Sequence, residues 1–280
     1  MAKGFFKKRL HIQILAALAQ NPFLSGLITG KIYQGGAKAF CTPGLNCYSC
    51  PAAALSCPLG ALQSGLSDRH VRFPFYVLGF LLLTGTVLGR AVCGFLCPFG
   101  LLFDLLYKIP FFKKIRGFRG DKQLRTLKYV LLAVFVLLLP AFFMDAPAYC
   151  KFLCPQGTLQ GGVLLLLRDR VLWQLVGALY YWKLGILIAV LLLSLLIYRP
   201  FCKYLCPLGA IYGLCNPIAL YRLSVNREKC TDCGACAKVC SMRVNPKKTP
   251  GHPECIRCGD CVRACSAEAL RVGWRGRENC

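Results

Sequence analysis

The stretch PFCKYLCPLGAI, residues 200–211, follows a long apolar run and holds two thiols four residues apart, then a proline and a glycine. Three other places echo it. CGFLCPFGLL begins at Cys93, CKFLCPQGTL at Cys150, and a single-thiol version, SCPLGAL, at Ser56. The repeat pictures an apolar span that ends, thiols projecting from one turn at i and i+4, and Pro with Gly redirecting the chain. One such motif is satisfied by buried free cysteines, which pack as small apolar residues. Three copies and a variant call for more, because packing gives no reason to pair thiols at repeated positions, whereas metal or redox work does.

The surroundings of the repeat are membrane-like. The chain has 280 residues, 56% hydrophobic content and a mean hydropathy of +0.52. Four segments, roughly 10–30, 73–91, 127–144 and 183–198, come close to the ~20 apolar residues that cross ~30 Å of hydrocarbon. The first is the weakest, since it contains His11, Gln13, Gln20, Asn21 and Pro22. Its alternative is a cleaved signal peptide, with KGFFKKR in front and Ala17-Leu18-Ala19 in A-x-A form. The run 158–182 is split by Arg168 and Arg170 and reads as an interfacial or re-entrant helix. Residues 108–125 carry seven Lys/Arg in eighteen positions. By the positive-inside rule that loop is cytoplasmic, as are both termini of a multi-pass protein of the cytoplasmic membrane. Parity then puts Cys93, Cys97, Cys202 and Cys206 on the inner side, and Cys150, Cys154 and the loop 41–57 on the outer side.

Twenty cysteines need an explanation. A disulfide framework belongs to small secreted domains; tight thiol clusters beside apolar runs suit metal ligation in a reducing or anaerobic cell. The formal charge of +24 does not indicate nucleic acid. Much of it lies in loops flanking apolar segments, and a cubane with four thiolates carries about −2 that the count omits. If the repeats pack about a pseudo-twofold axis, Cys93, Cys97, Cys202 and Cys206 supply four sulfurs for one cluster. The outer side offers six: Cys41, Cys47, Cys50, Cys57, Cys150 and Cys154. Either Cys41, Cys47, Cys50 and Cys57 ligate alone, or Cys50 and Cys57 join Cys150 and Cys154 in a tetrad mirroring the inner one. The repeat argues for the second.

The C-terminal part carries KCTDCGACAKVCS from Lys229 and ECIRCGDCVRACS from Glu254. Both have the C-x2-C-x2-C-x3-C spacing in which two runs exchange their last ligands. One cubane should use Cys230, Cys233, Cys236 and Cys265, the other Cys240, Cys255, Cys258 and Cys261. Zinc sites separate two C-x2-C knuckles by a dozen residues or more, so zinc fits poorly. The expected fold is mainly α. Residues 1–220 form about four transmembrane helices with the internal repeat, 221–275 a small cytoplasmic α+β two-cluster ferredoxin domain, and 276–280 a tail.

With these motifs the chain resembles the membrane-bound polyferredoxins of the NapH/NosR type over most of residues 70–270. The resemblance implies electron transfer between quinols or cytoplasmic donors and partners across the membrane. It also implies two [4Fe–4S] clusters on the eight C-terminal cysteines and a redox partner such as a ferredoxin, flavoprotein or reductase subunit. Ser241 and Ser266 stand where proline usually follows the fourth cysteine, and three C-x3-C-P motifs stand where two are common. One or two further clusters are expected on the membrane-domain cysteines, with quinone and lipid as further contacts. The chain is expected to be an electron-transfer subunit rather than a stand-alone enzyme. Two other readings use the same thiols: an accessory factor that reduces or hands over a metal such as copper, poorly furnished with His and Met, and a membrane redox sensor.

Only His11, His70 and His252 exist and no C-x-x-C-H appears, so haem is not expected. No G-x-G-x-x-G or phosphate loop marks a nucleotide site. Asp104 and Asp145 lie near span ends, where a solvated interfacial carboxylate is the ordinary reading and a quinone or proton path the sharper one.

Overall fold

Each C-P-x-G copy opens a helix. In the computed structural model, which describes residues 8–67, 74–110, 114–115, 117–169 and 171–275, helices begin at Pro58, Pro98, Pro155 and Pro207. Proline suits this first helical position because its fixed φ is helical and its missing N–H would go unpaired anyway. Cys97, Cys154 and Cys206 cap three of these helices. In front of them stand five-residue helices, Ala91–Phe95, Ala148–Phe152 and Pro200–Tyr204. The motif is therefore a helix, a kink at the second thiol and a new helix. Pro and Gly thus redirect the chain by opening a new helix.

Among the described residues, two helical runs are long and apolar enough to cross a membrane, Asp121–Phe143 and Ala178–Leu196. The first is wound with the wider π pattern over Leu132–Phe143, around Pro140, which has no N–H to donate. Phe75–Leu88 is apolar throughout but only 14 residues long. The segment 10–30 does not form one span. It breaks into Arg9–Gln20 and Ser25–Thr29, and its polar residues turn inward: Gln13 Nε2 donates to Gly94 O at 3.0 Å and Gln20 Nε2 to Leu96 O at 2.6 Å. In 158–182, helical winding continues from Pro155 to Leu166, and Val171–Leu175 is a short 3-10 turn. Residues from Ala178 already belong to the long helix. Residues 1–7 and 276–280, on which the sidedness of the termini rests, lie outside the described residues.

The C-terminal part is closed by an antiparallel strand pair, Tyr221–Val225 with Leu270–Trp274, in the register Leu223 to Val272. Between them lie two matched loop–helix units, with helices Ala235–Val239 and Asp260–Ala264. Each helix follows a glycine at positive φ, Gly234 at 72° and Gly259 at 81°, a conformation that costs glycine nothing. A single hydrophobic core runs from Leu59 and Leu62 through Phe99, Phe103 and Phe201 to Met242, Val244 and Ile256. The C-terminal units are thus packed onto the helical part.

Candidate cluster sites

The two C-terminal runs enclose two cavities. Cys230, Cys233, Cys236 and Cys265 line one of about 190 Å³, together with Asp232, Lys247 and Lys248. Cys240, Cys255, Cys258 and Cys261 line a narrower one, walled by Met242, Val244 and Ile256. These are the two exchanged sets expected from spacing. The first opens to the surface, where Cys233 is exposed; the second is shielded by the shared core.

The inner thiols also meet. Cys93, Cys97, Cys202 and Cys206 line one narrow cavity with Leu45, Val92, Phe99, Phe201 and Leu208. The two C-x3-C-P copies face each other across it, each contributing its kink. At Cys206 the sulfur accepts the N–H of Gly209 at 3.3 Å, and at Cys154 the sulfur accepts that of Gly157 at 3.4 Å. Hydrogen bonds of this kind favour a sulfur carrying negative charge. Burial works the other way and pushes the thiols of Cys154 and Cys202 up to about 12. Such sulfurs stay neutral at ordinary pH unless bound cations supply the compensating charge.

The outer grouping differs from both expected arrangements. Cys47, Cys57, Cys150 and Cys154 line a cavity of about 660 Å³, with Lys183 and Gln156 among its polar walls. Cys47 stands where Cys50 was expected. The reason is a turn in which Cys50 N–H bonds Cys47 O at 3.1 Å and Ala53 N–H bonds Cys50 O at 3.2 Å. That turn buries Cys50 against Ala52 and Ala53. Cys41 is held on a bridge to Ser56 and does not line the cavity. Of the other cysteines, Cys215 packs against Gly85, and Cys280 lies outside the described residues.

The four cavities form a row. Cys261 and Cys236 belong to one core cluster joining the two C-terminal sites. A Cβ on Gly94 would lie 2.4 Å from Ile256 O, so the inner motif touches the loop between two cysteines of the second site. Leu45 lines both the inner and the outer cavity. Tyr149 is buried beside it, its hydroxyl donating to Leu205 O at 3.0 Å, one residue before Cys206. Parity sets these two sites on opposite sides of the membrane, and in the structure they share Leu45 as a wall.

Sequence reasoning missed the charged residues around the inner site. Arg90, fully buried, donates to Glu254 at 2.5 Å, and Lys128 pairs with the same carboxylate. Burial alone would push Glu254 up, yet Arg90 and Lys128 hold its carboxyl down at about 2. On the opposite side Asp104 is clamped by Arg199 at 2.6 Å and Arg9 at 2.5 Å and accepts Gln13 Nε2 at 2.9 Å. Asp104 is therefore a buried ion-pair partner, which overturns its reading as a solvated interfacial acid. Asp145 is exposed.

Among the described residues, no group of three or more His, Cys, Asp or Glu side chains is disposed around a single metal ion. Zinc draws its sulfurs to within ~2.3 Å of one point, whereas a cubane spreads four thiolates over its corners. All-thiol donor sets around shared cavities fit the cluster.

A family model described as a 4Fe-4S binding domain matches residues 70–119, 127–173 and 181–222, and a second with the same description matches 223–242. The methylamine utilization ferredoxin-type protein MauN of Methylorubrum extorquens is 31% identical over 230 residues, covering 80% of this chain and 71% of that protein. MauN of Paracoccus denitrificans is 32% identical over 235 residues, covering 81% and 72%. The ferredoxin-type protein NapH of Haemophilus influenzae is 26% identical over 252 residues, covering 84% and 74%. No solved structure matches. With 4Fe-4S binding domains over residues 70–242 and this extent of identity to MauN, the chain belongs to the MauN/NapH family of ferredoxin-type, 4Fe–4S membrane electron-transfer proteins.

Proposed function

We propose that the chain is a one-electron conduit of the cytoplasmic membrane, linking a cytoplasmic ferredoxin-like donor or the quinol pool to a membrane or extracytoplasmic redox partner. The observation that carries this reading is the row of four four-thiol cavities. We assign one [4Fe–4S] cluster to each, residues 1–220 to the membrane part, and 221–275 to the ferredoxin part. When bound, such a cluster takes up and releases single electrons.

The chain's own residues do the rest. Sixteen thiols hold the sites, and Leu45, Tyr149 and Ile256 fill the gaps between neighbours with apolar or hydrogen-bonded atoms that exclude water. Rigid, dry walls keep the spacing of the sites fixed and leave little solvent to rearrange when charge arrives. No hop across the full ~30 Å of hydrocarbon is needed between the two membrane-part sites.

Iron analysis of anaerobically purified protein tests the assignment. Four cubanes predict about sixteen irons per chain. Joint replacement of Cys93 and Cys202 by Ser, or of Cys47 and Cys150, should each remove about four. Replacing Cys41 and Cys50 should remove none. Iron unchanged in the first two variants would leave a two-cluster ferredoxin part on an iron-free membrane part and overturn the conduit.

A further inference from the structure

Two buried arginines flank the inner thiols in matched positions. Arg90 stands three residues before Cys93, and Arg199 three residues before Cys202. Each reaches across to the other copy: Arg90 Nη2 donates to Cys202 O at 2.9 Å, and Arg199 Nη1 donates to Cys93 O at 2.5 Å. Each also lies over the glycine of that other copy. A Cβ on Gly209 would stand 3.3 Å from Arg90 Nη2, and one on Gly100 would stand 3.2 Å from Arg199 Nη1.

Both guanidinium groups are fully buried, which is tolerable only with partners. The partners do not cancel them. Glu254 is shared by Arg90 and Lys128, and Asp104 by Arg199 and Arg9. Each group thus holds two cations and one acid and keeps a single net positive charge. Together they set two positive charges beside four thiols that, with a cubane core, carry about −2.

The outer site is built differently. The positions three residues before Cys57 and Cys150 are Ala54 and Pro147. The carbonyl of Cys150 takes its hydrogen bond from Lys183 Nζ at 3.1 Å, and the second cation near these thiols, the buried Lys38, donates to Tyr48 O beside Cys47, so lysines rather than arginines stand at this site.

We infer that Arg90 and Arg199 are the charge-compensating pair of the inner cluster site and raise its reduction potential. The inference rests on the reading that the inner thiols hold a cubane. Uptake of one electron from the chain's donor takes the site from about −2 to about −3, and fixed positive charge in a low-dielectric setting favours that more negative form.

The test is an EPR-monitored redox titration of the full-length protein, with iron counted in each sample. In Arg90→Gln and Arg199→Gln one midpoint should move to more negative potential while the others stay, and Arg90→Lys and Arg199→Lys should recover much of the shift. Loss of about four irons in the Gln variants that the Lys variants retain supports the same role, since charge alone separates the two. The midpoint that moves should belong to the signal missing from the Cys93→Ser/Cys202→Ser protein. Unmoved midpoints at full iron would overturn the inference. So would a shift confined to another signal, or equal iron loss in Gln and Lys variants, which would make the arginines geometric struts. Iron unchanged in the Cys93→Ser/Cys202→Ser protein is a different result: it removes the inner cluster itself.

Discussion

Tyr149 occupies the partition between the two membrane-part sites. Its ring is buried, its hydroxyl bonds Leu205 O at 3.0 Å, and its N–H bonds Gln63 Oε1 at 2.9 Å. Gln63 Nε2 in turn donates to Cys150 Sγ at 3.4 Å. Through its hydroxyl and its backbone N–H, one residue therefore joins the backbone beside Cys206 to the environment of Cys150. Tyr149→Phe should keep the packing and lose a hydrogen bond, at a cost of about 1 kcal/mol in thermal stability. Tyr149→Leu should retain iron yet slow electron equilibration between the two sites, read by freeze-quench EPR after a reducing pulse. Equal rates in the Leu variant and the wild type would show that the ring has no part in the coupling.

At the scale of elements, the C-P-x-G helices carry a steric requirement that shows only in three dimensions. A Cβ on Gly100 would lie 2.9 Å from Cys93 O and 3.2 Å from Arg199 Nη1, whereas Cβ atoms on Gly79 and Gly185 would meet nothing within 4 Å. Gly100→Ala should destabilise the protein by about 1–3 kcal/mol through overpacking and weaken retention of the inner cluster. Gly79→Ala and Gly185→Ala should leave iron content unchanged. Iron content and melting temperature, measured on the same preparations, check both halves. The repeat itself was legible, and so were the prolines as punctuation. That glycine serves the close approach of an arginine was not, although Arg90 and Arg199 share the offset of three residues from their motifs. Counting the repeat from its first cysteine left them out.

For the whole molecule, the row of sites ends at a surface with a definite charge. The cavity of Cys230, Cys233, Cys236 and Cys265 is lined by exposed Lys247, which pairs with Asp232, and by exposed Lys248, with Lys229 close by in sequence, and Cys233 is exposed there. A donor or acceptor with an acidic face should dock at this end, where attraction speeds encounter and salt screens it. Reduction of the protein by an acidic ferredoxin should slow as ionic strength rises. Lys247→Glu/Lys248→Glu should slow it at low salt and flatten the salt dependence, as stopped-flow absorbance would record. A wild-type rate independent of salt would place the partner elsewhere.

Much of this protein's character is written in short stretches of its chain. Cysteine spacing is a local property, so the grouping of the C-terminal cysteines around two cavities, the paired thiols of the repeat and the family resemblance were all readable from short stretches. Apolar length was readable too for Asp121–Phe143 and Ala178–Leu196, because crossing hydrocarbon is a one-dimensional requirement. Tertiary structure decided what depends on elements meeting. It chose Cys47 over Cys50 through a turn, folded the first segment inward on Gln13 and Gln20, and set the inner and outer sites against one leucine. It also gathered Arg9, Arg90, Lys128 and Arg199 around the inner thiols from positions far apart in the chain. The physical reason is the same in each case: buried charge and paired thiols are satisfied by partners in space, and no spacing along the chain records which partners those are.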